Sequence, residues 1–205
     1  MTFHRRMLIG SVLVLAYATL ASAADKPPVL LIGDSISIGY TPGVTSGLKD
    51  IADVKRINGN GETTRNGLAK IDGWLGETKW AVIHFNWGLW DLVNGGQNVP
   101  IKEYGENMEK LVERMKKTGA TLIFATTTPV PEVNGRKRRD IDVVEYNKVA
   151  VEIMKKHGVL VDDLYAAAKP NLAEWQKKDD VHFTGPGSEG LAKAAAASIS
   201  AALKK

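Results

Sequence analysis

Short apolar runs alternate along the chain with longer stretches whose apolar residues recur at helical spacing. Five of the runs predict β-strands: PVLLIGD (28–34), VKRI (54–57), WAVIHFN (80–86), ATLIFATTT (120–128) and GVLVDD (158–163). The first, third and fourth runs are almost continuously apolar, which is typical of strands covered on both faces of a parallel sheet.

Four of the longer stretches predict helices, at 65–77, 101–119, 143–158 and 187–205. Two of these helices end in a lysine-rich turn followed by Gly119 or Gly158, a pattern typical of helix C-termini. Strands that alternate with helices of this length predict an α/β fold, in which helices cover both faces of a parallel sheet.

The remaining segments, 36–52, 87–100, 129–142 and 170–186, are predicted to be irregular. Each of them follows a predicted strand or precedes a predicted helix. Because α/β sheets bind ligands at the carboxyl ends of their strands, we expect the functional residues to lie in these segments. No internal repeat or linker divides residues 24–205, so we expect them to form one domain.

The first 23 residues have the order of a secretory signal peptide. Arg5 and Arg6 precede an apolar run from Met7 to Leu20, and small residues up to Ala23 follow it. The run is shorter than the roughly 20 residues that span a bilayer, which favours a cleaved signal over an uncleaved anchor. We therefore expect an exported protein, periplasmic or secreted, without a stable membrane span after cleavage.

Composition narrows the possible functions. The 205 residues are 44% hydrophobic and 24% charged, which is ordinary for a globular protein. The net charge of +4 falls to +2 once Arg5 and Arg6 are removed, too little to indicate a nucleic-acid partner. The absence of cysteine excludes thiol nucleophiles and thiolate metal sites, and the scattered histidines do not predict a metal or another cofactor.

The stretch LIGDSISIGY places Ser35 just past the first apolar run. A serine hydroxyl is a strong nucleophile only when a base takes its proton and a third group orients that base. Among the histidines, His4 belongs to the signal peptide, His157 ends a helix, and His84 lies mid-strand, where a hydrogen-bonded core position is expected. His182, in KKDDVHFTGPG, is therefore the candidate base.

Two acidic residues precede His182. Asp179 lies three positions upstream and Asp180 two. On a helical turn a separation of three brings two side chains to the same side, whereas a separation of two does not. We therefore predict that Asp179 accepts the Nδ1 proton of His182, with Asp180 as the weaker candidate. The alternative is a solvated charge cluster that caps the last helix.

Glycines after the second predicted strand suit an oxyanion hole. NGNGETTRNG (58–67) contains Gly59 and Gly61, and glycine lets backbone amides approach a substrate closely. A dinucleotide-binding G-x-G-x-x-G is disfavoured, because Thr64 stands at its third glycine and the motif does not follow the first strand. The G-x-S-x-G of α/β-hydrolases is disfavoured because Ser37 replaces its second glycine.

These residues resemble, in order along the chain, the motifs of the GDSL, or SGNH, hydrolase family of serine esterases and lipases. Gly33-Asp34-Ser35-Ile36-Ser37 is similar to the first block, whose serine is the nucleophile. Gly61 resembles the glycine whose amide serves the oxyanion hole together with the amide of the nucleophile, here Ser35. Asp179-Asp180-Val181-His182 is similar to the last block, D-x-x-H, which carries the acid and the base.

The resemblance implies a three-layer αβα sandwich with a five-stranded parallel sheet and a flavodoxin-like topology. One block departs from the family pattern: G-x-N-D becomes Gly88-Leu89-Trp90-Asp91, with Trp90 in place of the asparagine that donates to the oxyanion. Three explanations are open. Asn86 supplies the amide from a neighbouring position, which we favour; or the Trp90 indole N–H donates; or the hole lacks one donor and catalysis is weak.

Two features bear on the substrate. Trp87 and Trp90 follow the third strand, where they either line the rim of the site and stack on a sugar ring or acyl chain, or pack on the core. The run Arg136–Arg139 is expected to be solvated, with recognition of an anionic group as the alternative. No long apolar insertion that would cover an acyl chain is visible.

The resemblance thus implies an exported esterase that forms an acyl-enzyme on Ser35, with a small-molecule or carbohydrate ester as its substrate. A carbohydrate O-acetylesterase or a similar short-acyl esterase fits best. A lysophospholipase or thioesterase is the nearest alternative activity. A catalytically weak glycan-binding relative is the alternative of another class, and the substitution at Trp90 is what keeps it open.

Overall fold

The computed structural model describes residues 26–93, 98–132 and 138–204, so the predicted signal peptide lies outside the described residues. Five parallel strands form one sheet in the order β2-β1-β3-β4-β5. The strands are β1 (Pro28–Ile32), β2 (Asp53–Arg56), β3 (Val82–Phe85), β4 (Thr121–Ala125) and β5 (Leu160–Asp162). The α/β fold and the flavodoxin-like strand order are confirmed.

Helices connect the strands and cover both faces of the sheet. They are α1 (Ser35–Leu48), α2 (Thr64–Leu75), α3 (Ile101–Lys116), α4 (Asp140–His157), α5 (Leu164–Ala168), α6 (Leu172–Trp175) and α7 (Gly185–Leu203). Helix α1 packs against α7, while α3 packs against both α2 and α4, which gives the predicted three layers. Within the described ranges no helix is both long and apolar enough to span a bilayer.

The predicted strands and long helices are found within three residues of their predicted ends. The prediction of an irregular segment at 36–52 is wrong, because most of it forms α1. Its glycines and Pro42 lower the intrinsic helix propensity, so the sequence pattern does not indicate a helix there. The Asp34 carboxylate caps the helix by accepting the Ile36 amide at 2.9 Å, and the packing of α1 on α7 stabilises the rest.

The core lies on both sides of the sheet and includes a buried polar contact between two strands. Val29, Leu31 and Ile83 are completely buried on β1 and β3. His84 of β3 is also completely buried, and its Nε2 lies 2.9 Å from Oδ2 of Asp162 at the end of β5. The prediction that His84 is a hydrogen-bonded core residue is confirmed, and its partner joins β3 to the edge of the sheet across β4.

Candidate active site

Ser35 is the first residue of α1 and follows β1 after a turn of two residues, Gly33 and Asp34. Because the first amides of a helix have no intrahelical acceptor, the Ser35 N–H is available to a ligand, and within the described part of the chain it has no hydrogen-bond partner. The helix N-terminus also favours negative charge at this position. The turn therefore presents a hydroxyl and an unpaired amide at the carboxyl edge of the sheet.

Arg56, the last residue of β2, holds this turn in place. Its Nη2 donates to the carbonyls of Gly33 at 2.9 Å and Asp34 at 3.2 Å, and its Nη1 donates to the Gly59 carbonyl at 2.6 Å. Arg56 is not among the residues that the sequence predicts for the site. The parallel register that pairs Arg56 with Leu31 brings it beside the turn, and nothing in the local sequence indicates that register.

His182 approaches Ser35 from the loop before α7. The Ser35 hydroxyl lies 2.8 Å from Nε2 of His182. A short antiparallel bridge between Gln176 and Phe183 shapes the loop, and the Lys177 amide donates to the His182 carbonyl at 2.9 Å. The structure therefore brings together the two residues that the sequence selected as nucleophile and base.

The acidic partner of His182 is Asp180, which corrects the prediction of Asp179. Oδ1 of Asp180 lies 2.7 Å from Nδ1 of His182 and also accepts the His182 amide at 3.2 Å. Asp179 is exposed and has a φ of 53°, in the left-handed region. The spacing rule that favoured Asp179 applies to a helical turn. In this loop the Asp180 carboxylate instead folds back onto the amide two residues on, as aspartates in turns commonly do.

The pKa of Asp180 suits a carboxylate that accepts a hydrogen bond from His182. Burial raises the pKa of Asp180, but hydrogen bonds from the His182 ring and amide outweigh burial and leave that pKa below its usual value. Asp180 is therefore ionised at neutral pH and accepts the Nδ1 proton. This leaves Nε2 of His182 as the acceptor of the Ser35 hydroxyl proton.

The amide of Gly61 is not free, contrary to the prediction of an oxyanion donor. It donates to the Gly33 carbonyl at 2.9 Å. A Cβ at position 61 would lie 2.9 Å from the same carbonyl oxygen, so a glycine is required for this close approach. In this structure Gly61 joins the loop after β2 to the turn that precedes Ser35.

Asn86, just past β3, also has partners for its side-chain amide. Its Nδ2 donates to the Ala125 carbonyl at 2.8 Å, and a second, longer contact of 3.3 Å reaches Oγ1 of Thr127. Asn86 lines a cavity of about 10 Å³ together with Asp34 and Ile36, the two neighbours of Ser35 in the chain. One amide hydrogen of Asn86 is therefore held only weakly beside the nucleophile.

The prediction that Trp87 lies at the rim of the site is wrong. Only 1% of Trp87 is exposed, and its Nε1 donates to the Gly61 carbonyl at 3.4 Å. Its indole ring packs on Gly67 of α2, where a Cβ would come within 2.8 Å of the ring. Trp87 thus belongs to the core beneath the site, whereas Trp90 is half-buried in the loop that follows.

Asp91 joins the loop after β3 to the start of α2. It is completely buried, and its Oδ1 accepts the amide of Thr64 at 2.9 Å and the hydroxyl of Thr64 at 2.6 Å. Burial raises the pKa of Asp91 to about 6, although the hydrogen bonds from Thr64 oppose that shift. Oδ2 of Asp91 is buried without a partner among the described residues.

Of the basic run at 136–139, the structure describes Arg138 and Arg139, whereas Arg136 and Lys137 lie outside the described residues. Arg139 is exposed and pairs with Asp142. Arg138 is buried, and its Nε donates to the Leu89 carbonyl at 2.6 Å, so the expectation of a solvated run is wrong for this residue. Arg138 supports the loop after β3 from within the protein.

The chain is similar to several known proteins. Residues 31–189 match the model of the GDSL-like lipase/acylhydrolase family. An arylesterase from Vibrio mimicus is 26% identical over 181 residues, covering 83% of this chain and 86% of the relative. The family match and this relative support an esterase or acylhydrolase activity.

Solved structures show the same fold. A lipase/acylhydrolase from Enterococcus faecalis superposes with a TM-score of 0.77 at 23% identity, covering 85% of this chain and 96% of that one. An acetylxylan esterase from Geobacillus stearothermophilus superposes with a TM-score of 0.71 at 21% identity, covering 85% of this chain and 94% of that one.

The two aspartates can be distinguished by matched amide substitutions. Asp180→Asn removes the charge that orients and stabilises the His182 imidazolium, so we expect kcat for an activated ester to fall by about 10²–10⁴-fold. Asp179→Asn changes an exposed side chain and should leave kcat within about threefold of wild type. Steady-state kinetics with p-nitrophenyl acetate measure both. A larger loss in the Asp179 variant would restore the original assignment.

Asp91→Asn tests the raised pKa of the Asp91 carboxyl, because the asparagine keeps an acceptor for Thr64 and cannot ionise. The folded pKa of about 6 lies above the ordinary 3.8. The stability that Asp91 contributes is therefore fully present below about pH 3.8 and is lost as the pH rises through about 6. Between about pH 4 and about pH 7, the unfolding free energy of wild type should fall by about 2 kcal/mol relative to the variant.

Urea unfolding of both proteins at the two pH values measures this difference. The comparison cancels the titration of all the groups that the two proteins share. An offset between wild type and variant that does not change with pH would show that Asp91 has an ordinary pKa in the folded state.

Proposed function

The chain belongs to the GDSL-like lipase/acylhydrolase family, and from this we propose that it is a serine esterase that forms an acyl-enzyme on Ser35. The observation that carries the proposal is the continuous chain of contacts from Ser35 through His182 to Asp180, at 2.8 and 2.7 Å. A serine-to-alanine variant of the acetylxylan esterase of the same fold is described as a catalytic mutant.

In the first half of the reaction, Oγ of Ser35 attacks the ester carbonyl carbon while Nε2 of His182 takes the hydroxyl proton. The tetrahedral intermediate collapses, the carbon–oxygen bond to the alcohol breaks, and His182 returns its proton to the departing oxygen. Asp180 remains ionised throughout and stabilises the imidazolium. In the second half, His182 deprotonates a water that attacks the acyl-enzyme, and the acid leaves as Ser35 regains its proton.

The oxyanion of the intermediate requires donors that are already in place. The Ser35 amide, unpaired at the start of α1, is the first. Asn86 is the second, since its hydrogen toward Thr127 makes a contact of only 3.3 Å, which a substrate oxygen would share or replace, while its other hydrogen stays bonded to Ala125 at 2.8 Å. The Gly61 amide can contribute only if its bond to Gly33 opens.

The small cavity beside the nucleophile turn supports a short acyl group. Its volume of about 10 Å³ is close to that of a single water-sized probe, and Leu89 and Leu164 close part of its wall. An acetyl group, with three heavy atoms, already exceeds this space, so a long acyl chain, which would need a groove, is disfavoured more strongly. We therefore favour an O-acetylesterase, with a carbohydrate as the alcohol, over a lysophospholipase or thioesterase.

The same contacts favour an enzyme over a glycan-binding relative without activity, because the nucleophile and base are within hydrogen-bond distance. The substrate alcohol would approach beside the half-buried Trp90, whose ring suits stacking on a sugar.

We also propose that the protein is exported, on the basis of the signal pattern at residues 1–23, and that cleavage leaves Ala24 as the first residue of the mature chain.

Ser35→Ala tests the proposed function. Wild type should hydrolyse p-nitrophenyl acetate and react covalently with a serine-directed phosphonate, and the alanine variant should do neither. Mass spectrometry of the labelled protein identifies the modified residue. A wild type that neither turns over the acetate nor is labelled at Ser35 would refute the proposal.

The length of the acyl chain is tested with a series of p-nitrophenyl esters. Replacing acetate by butyrate or octanoate should lower kcat/KM progressively, by about tenfold or more for octanoate, because the cavity is small.

The oxyanion donors are tested separately. Asn86→Ala should lower kcat by about 10²-fold, as loss of one such donor does in other serine hydrolases. Trp90→Phe removes the indole N–H and keeps an aromatic ring, so we expect a change of no more than about threefold in kcat. Thermal unfolding of both variants controls for the bond that Asn86 makes to Ala125. A fall of only a fewfold for Asn86→Ala would reject its assignment.

A further inference from the structure

Helix α1 carries a row of glycines that faces a row of small residues on α7. Gly39, Gly43 and Gly47 are four residues apart, so they lie on one side of α1. Built Cβ atoms at these glycines would lie 3.4 Å from Oγ of Ser188, 2.6 Å from Cβ of Ala192 and 3.6 Å from Cβ of Ala196, respectively. The contact at Gly43 is thus the closest of the three, and a Cβ there would overlap its neighbour.

The three contacts share one register. Each glycine of α1 meets the residue 149 positions later in the chain, so the two helices run parallel and their N-termini lie side by side. Ser35 is the first residue of α1, and His182 precedes the first residue of α7 by three positions. The helix contact therefore continues, at its N-terminal end, into the contact between nucleophile and base.

The loop that carries His182 is held against α7 through Trp175. The Thr184 amide donates to the Trp175 carbonyl at 2.7 Å, the Trp175 backbone packs on Gly187, and the Trp175 ring packs on Gly190 in the first turns of α7. A Cβ at position 190 would come within 2.2 Å of that ring. A displacement of α7 is thus transmitted to His182, while Ser35 remains fixed at the end of β1.

We propose that the contact between Gly43 and Ala192 sets the separation of Ser35 and His182, which makes Gly43 a positioning residue for the esterase reaction. The proposal rests on the proposed function of those two residues. Non-bonded carbon atoms pack about 3.5–4.0 Å apart, so a Cβ at 2.6 Å requires the helices to separate by about 1 Å. A displacement of that size lengthens the 2.8 Å contact of Ser35 with His182 beyond a good hydrogen bond.

Gly43→Ala tests the proposal, with Gly47→Ala as the matched control on the same face of α1. Both changes add one methyl group and raise helix propensity, but only the first has a close neighbour in Ala192. Displacements of 1 Å in an active site cost about 10²-fold, so we expect kcat for p-nitrophenyl acetate to fall by about 10–100-fold in Gly43→Ala. In Gly47→Ala we expect a change of less than about twofold.

The double variant Gly43→Ala with Ala192→Gly moves the methyl group from one helix to the other, so one methyl group still lies between the two helices at this contact. We expect it to recover kcat to within about threefold of the Ala192→Gly single variant. The other close atom, Oε2 of Glu189 at 3.0 Å, ends a flexible exposed side chain and can move aside. Because Ala192→Gly would also relieve a merely destabilising overlap, kcat is compared at a temperature at which thermal unfolding shows every variant to be folded.

Crystal structures of wild type and Gly43→Ala provide a readout that does not depend on activity. We expect the distance from Oγ of Ser35 to Nε2 of His182 to exceed 3.5 Å in the variant. An unchanged distance together with unchanged kcat would overturn the proposal, as would a double variant that is inactive or unfolded. If wild type has no esterase activity but the distance responds as expected, the proposed function fails while the geometric role of Gly43 stands.

Discussion

The site depends on one hydrogen bond, 2.8 Å long, between residues 147 positions apart in the chain. The Ser35 hydroxyl donates to Nε2 of His182, which is free to accept because the ring proton is on Nδ1, where it is donated in a hydrogen bond to Asp180. The two residues that this hydrogen bond joins are held by different elements of the fold. Ser35 is fixed by β1 and α1, and His182 by the loop that is anchored to α7. The packing of those two helices therefore decides whether the bond exists.

Around this bond, the loops that leave the sheet are joined to one another by polar contacts. Arg56, at the end of β2, and Gly61, in the loop after β2, both bind carbonyls of the turn before Ser35. Asp91, after β3, binds the start of α2, and Arg138 binds the carbonyl of Leu89. Hydrogen bonds between buried groups in a low dielectric are expensive to break, so the loops form a rigid frame rather than independent segments. A preorganised frame suits a reaction whose barrier is lowered by fixed dipoles.

Most of the fold was predictable, because buried parallel strands and long amphipathic helices have distinct periodicities. Helix α1 was not, since Gly39, Gly43 and Pro42 lower its propensity and its stability comes from α7. Among the site residues, too, some could be predicted from the sequence and others could not. His182 could be found by elimination among the histidines, but the choice between Asp179 and Asp180 depended on a loop conformation that spacing rules do not describe.

The residues available for chemistry follow from the sequence alone: a serine after the first strand, a histidine and two aspartates before the last helix, and glycines where loops approach the turn before Ser35. Local patterns carry this information because strands, helices and turns each restrict which residues they accept. The tertiary structure decided which carboxylate meets His182, that Trp87 is buried, and that Gly61 and Asn86 already have hydrogen-bond partners. The choice of carboxylate depends on the conformation of the loop before α7. The other outcomes depend on contacts between residues distant in the chain, which exist only once the helices have packed on the sheet.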